Sequence, residues 1–198
     1  MSQLVFIGCN ETPDVFTLVE AHNASLLIEP NGRICNRLGS HYARNPFVKI
    51  VEAAIGTDDG IGTLTHYNSG LSSSLGQVTE QAKHVFSYEN WEPEKTDPVA
   101  IMRLPELLKR EQIERITTLI IDAQGMDSLI LFTMADWLKE KRIERVTLEV
   151  NAAGFQHYQG LPNREADVIN FMDEMPYRLV AREGLEFQPN LTYAVTNG

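Results

Sequence analysis

Short, wholly apolar runs alternate with stretches in which apolar residues recur three or four positions apart. Leu4 to Ile7 is the first run, and it stops at Gly8. Asp14 to His22 then carries Val15, Leu18 and Val19 on one helical face. Ser25 to Ile28 is a second buried-strand run closed by Glu29 and Pro30, and Ile34 to Arg44 reads as a helix. Phe47 to Ile55 is a third strand candidate. Asp58-Asp59-Gly60 is a turn signal, followed by an exposed, alternating strand over Gly62 to Tyr67.

The middle of the chain is less regular. Ser69 to Gly76 is a loop of small residues. Gln77 to Pro98 is polar, holds Pro93 and Pro98, and shows no period, so it reads as a long loop serving as a lid or substrate loop. Regularity returns with a short helix over Leu104 to Arg110 and a buried strand over Thr118 to Ile121. Met126, Leu129, Ile130, Thr133 and Trp137 have helical spacing, and Arg145 to Val150 is a strand. Asn151 to Pro162 is a loop and Asn163 to Met175 a helix, with terminal strands at Tyr177 to Arg182 and Leu191 to Thr196. Alternation of this kind predicts an α/β fold: a mostly parallel central sheet, helices on both faces, and an antiparallel C-terminal edge.

Composition narrows the function classes. With 43% hydrophobic residues in 198, one core and one domain over residues 1–198 are expected. The balance of 17 basic against 27 acidic residues, net −10, argues against a broad phosphate-backbone footprint and so against nucleic acid as a partner. No apolar run reaches the roughly 18 residues of a membrane span. The start, Met1 to Ile7, lacks the basic region of a signal peptide. Cys9 and Cys35 form neither a disulfide framework nor a metal pattern and read as small buried residues. A cytoplasmic setting is expected.

In a sheet of this type, ligands bind beyond the carboxyl ends of the strands, where the strand order reverses. Gly8 allows a sharp turn there and a close approach of ligand to backbone. Glu29, about 20 residues on, can accept both hydroxyls of a ribose, or is a surface carboxylate before a proline. Asp122 follows an apolar run; it can hold a ligand amine, act as a base, or cap the next helix. Asp127, in that helix's first turn, reads as structural. His157 lies on the loop after the fifth strand of the alternation; it can take a proton near neutral pH, or is an ordinary loop histidine. His22, His41, His66 and His84 are scattered, so no metal is signalled. Neither a Ser-His-Asp set nor a phosphate loop is visible.

From about Val5 to Asn151 the chain resembles the FkbM-type methyltransferases, which use S-adenosylmethionine on the Rossmann-like class I fold. Ile121-Asp122-Ala123-Gln124-Gly125-Met126-Asp127 is similar to the family's I-D-x-Q-G-x-E pattern. Glu29-Pro30-Asn31, Ala54-Ile55-Gly56 with Asp59-Gly60, Ser69 to Leu75, Arg103 to Leu108, and Glu149 follow in the family's order. The resemblance implies that Gly8 and Asn10 border the methionine part of the cofactor. It implies a ribose site at Glu29, Pro30 and Asn31, and adenine near Glu52 and Ala53. Asp122 and Gln124 would face donor and acceptor, with Asp122 or His157 as the base for a small-molecule hydroxyl, of a sugar or natural product.

The chain departs from the family's D-x-G-A-N-x-G motif. Phe6 stands for the acid, Cys9 for Ala, and Thr12 for the second glycine. Phe6 removes a carboxylate that orders the loop around the cofactor's amino-acid end. The chain also starts almost at the first strand, without the helical extension that often covers the site in the family. Two other readings are a degenerate cofactor-binding protein and an NAD-dependent oxidoreductase. The second needs a glycine-rich turn, and Gly8 stands alone. Tyr88, Trp91, Phe155 and Tyr158 suggest an aromatic wall for the acceptor, or loop aromatics packed on the core. A homodimer is compatible with the sequence.

Overall fold

The first apolar run forms β1 (Gln3–Ile7), a strand buried on both faces. Leu4 and Phe6 pack to one side, Val5 and Ile7 to the other. A strand with two dry faces belongs in the middle of a layered sheet, and β1 is there. The computed structural model describes residues 2–67 and 73–196.

The chain continues through α1 (Pro13–Glu20), β2 (Ala24–Glu29), α2 (Gly32–His41) and β3 (Val48–Glu52). It leaves the main sheet for β4 (Ala54–Gly56), β5 (Gly60–Tyr67), β6 (Ser73–Ser74), α3 (Glu80–Val85) and β7 (Pro93–Arg103). It returns with α4 (Leu104–Arg110), β8 (Ile116–Ile121), α5 (Asp127–Thr133), α6 (Ala135–Lys139) and β9 (Ile143–Glu149). It closes with α7 (Glu165–Asp173), β10 (Tyr177–Leu185) and β11 (Gln188–Val195).

Seven strands form the main sheet in the order β10-β11-β9-β8-β1-β2-β3. The pairs among β9, β8, β1, β2 and β3 are parallel; β11 runs antiparallel to β9 and to β10. Val15 and Val19 of α1 and Ile34 and Leu38 of α2 cover one face. Leu104 and Leu108 of α4, Ile130 of α5, Leu138 of α6 and Val168 of α7 cover the other. The fold is thus the α/β, mostly parallel arrangement expected, with its antiparallel edge at the C-terminus. The strand order reverses between β1 and β8, which puts the crevice beyond Ile7 and Ile121.

Three sequence expectations change. Phe47 to Ile55 is two strands, not one. β3 pairs with β2 as far as Glu52, Ala53 donates its N–H to the Glu29 carbonyl (3.2 Å), and β4 then joins β7 in a separate sheet of order β4-β7-β5-β6. The pattern from Met126 to Trp137 is two short helices meeting at Met134. Gln77 to Pro98 is no structureless loop. Thr79 caps α3 by accepting from Ala82 N (3.1 Å), and β7 begins at Pro93. The prolines hid that strand. β4 reaches only from Ile101 to Arg103, so at Pro98 one edge of β7 lies outside the β4 pairing, and the missing N–H breaks no bond on that side. Of the small-residue loop, Ser73 and Ser74 form β6, while residues 69–72 lie outside the described residues. Among the described residues no helix is long and apolar enough to cross a membrane.

Candidate active site

Two loops touch where the strand order reverses. Gly8 donates its N–H to the Ile28 carbonyl (2.8 Å), and Asp122 donates its N–H to the Ile7 carbonyl (3.0 Å). A Cβ on Gly8 would stand 1.8 Å from the Asp122 carbonyl oxygen, and its φ is +71°. Only glycine fits both constraints. The turn then lifts Asn10, also at positive φ (46°), so that its N–H points to Glu29 Oε2 (3.0 Å).

Glu29 ends β2 and is 5% exposed. Its Oε1 accepts from Asn31 N (2.9 Å), so each oxygen takes one backbone N–H. Burial raises its pKa, and those two bonds pull against the rise. Asn31 in turn caps α2 by accepting from Arg33 N (3.1 Å). Cys35 donates its thiol to the Glu29 carbonyl (3.1 Å); burial pushes the thiol up to about 12 and the Cys9 thiol higher still, so both stay protonated.

The turn after β8 gathers acids. Asp122 Oδ1 accepts from Gln124 Nε2 (2.6 Å), and Gln124 Oε1 accepts from the Tyr158 hydroxyl (2.7 Å). Gln124 holds a left-handed backbone (φ 49°), and its carbonyl accepts from Ser74 Oγ (2.9 Å). Gly125 lies under the Tyr158 ring, where a Cβ would be 2.8 Å from Cδ2. Asp127, fully buried, accepts from Ala123 N (3.2 Å) and Gly125 N (3.1 Å), which is the structural role expected of it. Burial and the neighbouring Asp122 carboxylate push it up to about 8. Burial raises Asp122 as well, and raises Glu149 far above the carboxylate range, with Asp122 and Asp127 adding repulsion.

His157 is 6% exposed, stacked between Tyr158 (4.3 Å, 11°) and Phe86 (5.2 Å, 22°). Gln188 Nε2 lies 2.6 Å from Glu149 Oε1 and 2.7 Å from His157 Nδ1. An amide nitrogen only donates, so one of its hydrogens goes to Glu149 and the other to Nδ1, which accepts. The imidazole proton then sits on Nε2, which is buried without a partner among the described residues. Burial lowers the His157 pKa to about 4.

These groups surround one cavity of about 370 Å³, within the range of small-molecule sites. Gly8, Asn10, Glu29 and Pro30 line it on the β1–β2 side, with Ala53 next to them. Asp122, Gln124 and His157 line the other side. Asn31 and Glu52 are not on its wall: Asn31 orients Glu29, and exposed Glu52 abuts Gly32, whose Cβ would meet Oε1 at 2.8 Å. Tyr88 and Trp91 line the cavity, whereas Phe155 and Tyr158 pack behind it in the core.

Sequence reading missed Gln188 on the wall; Phe86 and Glu89 lie within the expected substrate loop and Ser73 within the small-residue loop, without having been singled out. It also saw no Ser-His-Asp contact, yet Ser73 Oγ lies 3.2 Å from His66 Nδ1 and Asp97 Oδ2 lies 3.0 Å from His66 Nε2. The three come from three strands; the β5–β6 register sets His66 opposite Ser73, and the β5–β7 pairing brings Asp97 alongside.

The strand order, the reversal point and the acid-tipped β2 define a Rossmann-like fold of the class I methyltransferase type. A profile described as the methyltransferase FkbM domain matches residues 7–179, and the chain belongs to that family. Among solved structures it is similar to the methyltransferase FkbM of Methylobacillus flagellatus KT, with a TM-score of 0.58 and 9% identity over 97% of this chain and 43% of that one. It is also similar to TrmK of M. capricolum, in complex with S-adenosyl-homocysteine, with a TM-score of 0.50 and 10% identity over 99% and 62%. The N-terminal domain of EvdMO1 with S-adenosyl-homocysteine bound gives 0.50 and 7%, over 98% and 74%. At such identities the likeness is one of fold. The chain spans less than two thirds of the first two solved chains. No curated protein matches.

Proposed function

We propose that this chain is an S-adenosylmethionine-dependent methyltransferase acting on the hydroxyl of a small molecule. The observation that carries the reading is the pairing of a buried, doubly tethered carboxylate at the tip of β2 with a second carboxylate at the tip of β8, across one cavity at the strand reversal. The residues fit a nucleoside sulfonium. Each Glu29 oxygen keeps a lone pair beyond its backbone bond, enough for a ribose diol. Gly8 lines the same cavity. Asp122 is raised by burial and Glu149 by burial and by repulsion from Asp122 and Asp127, and a cation beside them eases both. Phe6 leaves the cofactor's amino-acid end to Asn10 and Thr12, the polar side chains of that loop on the cavity wall.

The bound cofactor supplies an electrophilic methyl group. The protein's task is then to align the acceptor and take its proton. Asp122 is the base in this reading, because its carboxylate lines the cavity and burial moves it in the direction a general base needs. His157 is neutral at pH 7 and its Nδ1 is taken by Gln188, so its role is that of a neutral wall.

Calorimetric titration with S-adenosylmethionine and S-adenosyl-homocysteine tests the proposal. Absence of heat with either at about millimolar ligand would overturn it. Phe6 in the acid's place favours one alternative, a cofactor binder that transfers nothing. That reading is recognised by binding heat together with no labelled product from any hydroxyl acceptor.

A further inference from the structure

The cavity has a second group of wall residues that a nucleoside does not account for. Phe86, Tyr88, Glu89 and Trp91 all come from the stretch between α3 and β7. Their rings are set by contact with one another. Trp91 meets Phe86 at 6.2 Å and 64°, meets His157 at 5.6 Å and 85°, and donates Nε1–H to the Phe86 carbonyl (3.1 Å). Phe86 and His157 stack on each other and reach the wall beside Tyr88 and Trp91, so uncharged aromatic rings build this part of the chamber. Leu75 and Leu185 complete it with apolar surface.

The charges on the wall have one sign. Its acidic side chains are Glu29, Glu89, Asp122 and Glu149, of which Glu149 keeps its proton through burial and repulsion from Asp122 and Asp127, and among the described residues that line the cavity none is lysine or arginine. Residues 68–72, which precede β6, carry no charged side chain in the sequence. A phosphate or carboxylate that carries no ammonium beside it, unlike the cofactor's amino-acid end, would lose its water inside and find no cation to pair with, while meeting the carboxylates of Glu29, Glu89 and Asp122. A planar uncharged ring would stack on the aromatic wall. A cationic group would gain from both the π-faces and the carboxylates.

We propose that the methyl acceptor is a neutral or cationic aromatic hydroxy compound, and that the cavity rejects anionic analogues of the same shape. The inference rests on the methyltransferase reading for the word acceptor; the charge preference belongs to the cavity itself. Rejection by unpaired like charge is a recognised route to specificity. It separates this acceptor from phosphorylated sugars, nucleotide-linked compounds and organic acids.

The test uses three para-substituted phenols: tyramine, 4-methylphenol and 4-hydroxyphenylacetate. Each is titrated calorimetrically at low ionic strength into the protein alone and into protein with S-adenosyl-homocysteine. Tyramine and 4-methylphenol are expected to bind, and 4-hydroxyphenylacetate to bind at least about tenfold more weakly than either. Glu89→Gln should narrow the gap between tyramine and 4-hydroxyphenylacetate while leaving 4-methylphenol unchanged. If the anion binds within about threefold of 4-methylphenol, or none of the three binds below about 10 mM, the proposal fails. The two readings separate cleanly. Phenols binding in this order without any S-adenosyl-homocysteine heat removes the methyltransferase reading alone. S-adenosyl-homocysteine heat with the order reversed removes the acceptor class alone.

Discussion

The Tyr158 hydroxyl donates to Gln124 Oε1 at 2.7 Å, which forces the other end of that amide to be a donor. The donor end reaches Asp122 Oδ1 at 2.6 Å, so a tyrosine from the loop after β9 sets how a carboxylate at the tip of β8 is held. That bond lowers the Asp122 pKa against the rise caused by burial. Tyr158→Phe frees the amide to turn. The expected result is an upward shift of the Asp122 titration, read by carbon NMR of labelled aspartate, with a stability loss of about 1 kcal/mol. An unchanged titration would show that Gln124 keeps its orientation without the tyrosine.

Glu29 joins the β1 and β2 loops through two backbone N–H groups. In Glu29→Gln one of those N–H groups faces an amide NH₂, donor against donor. The variant should lose about 1–3 kcal/mol in chemical denaturation. If the carboxylate also grips a ribose diol, S-adenosyl-homocysteine affinity should fall by about tenfold or more. A stability loss with undiminished affinity would confine Glu29 to joining the loops.

Asp127 makes stability depend on pH. An unfolded aspartate gives up its proton near pH 3.9, whereas folded Asp127 holds it up to about 8. Between those values folding takes up a proton, so stability falls as pH rises through the window and levels off above it. Glu149, also raised, adds in the same direction. The melting temperature should therefore be lower at pH 8 than at pH 5, and the difference should shrink in Asp127→Asn. An equal slope in the variant would remove Asp127 as a cause.

Gly8→Ala combines a φ of +71° with a Cβ 1.8 Å from a backbone oxygen that no side-chain rotation relieves. A loss of about 3 kcal/mol or more is expected. Gly154→Ala is the control. It too has positive φ (+84°), but a Cβ there meets no atom within 4 Å, so it should show the backbone strain alone, about 1–2 kcal/mol.

What the sequence revealed follows from how local each signal is. Leu4 to Ile7 is buried on both faces, and in β8 Leu119 and Ile121 are buried with Ile120 half-buried on the other face, so both appear as short apolar runs and announce a parallel sheet. Gly8, Glu29 and Asp122 sit at the ends of such runs, and strand tips in this fold have a known use. Glu52 misled because it occupies the same position on β3, yet its side chain turns to Gly32 and solvent. Gln188 and Ser73 reach the cavity only through pairing in the C-terminal edge and the small sheet, and no local pattern marks that. The strand at Pro93 to Arg103 was hidden because proline is tolerated where one edge of a strand has no partner.

The small sheet leaves the main sheet and returns to it at one junction. β4 and the end of β7 lie side by side, Ala54 beside Ile101 and Gly56 beside Arg103, and Asp59 Oδ1 clasps the Arg103 N–H at 2.8 Å. The aromatic wall is held at a second place as well: Thr79 N–H donates to the His157 carbonyl (2.9 Å) and Gln159 N–H to the Gln77 carbonyl (2.8 Å). A graft that alters what the cavity recognises must therefore carry both the clasp and the loop after β9, while the strands that hold Gly8, Glu29 and Asp122 stay as they are.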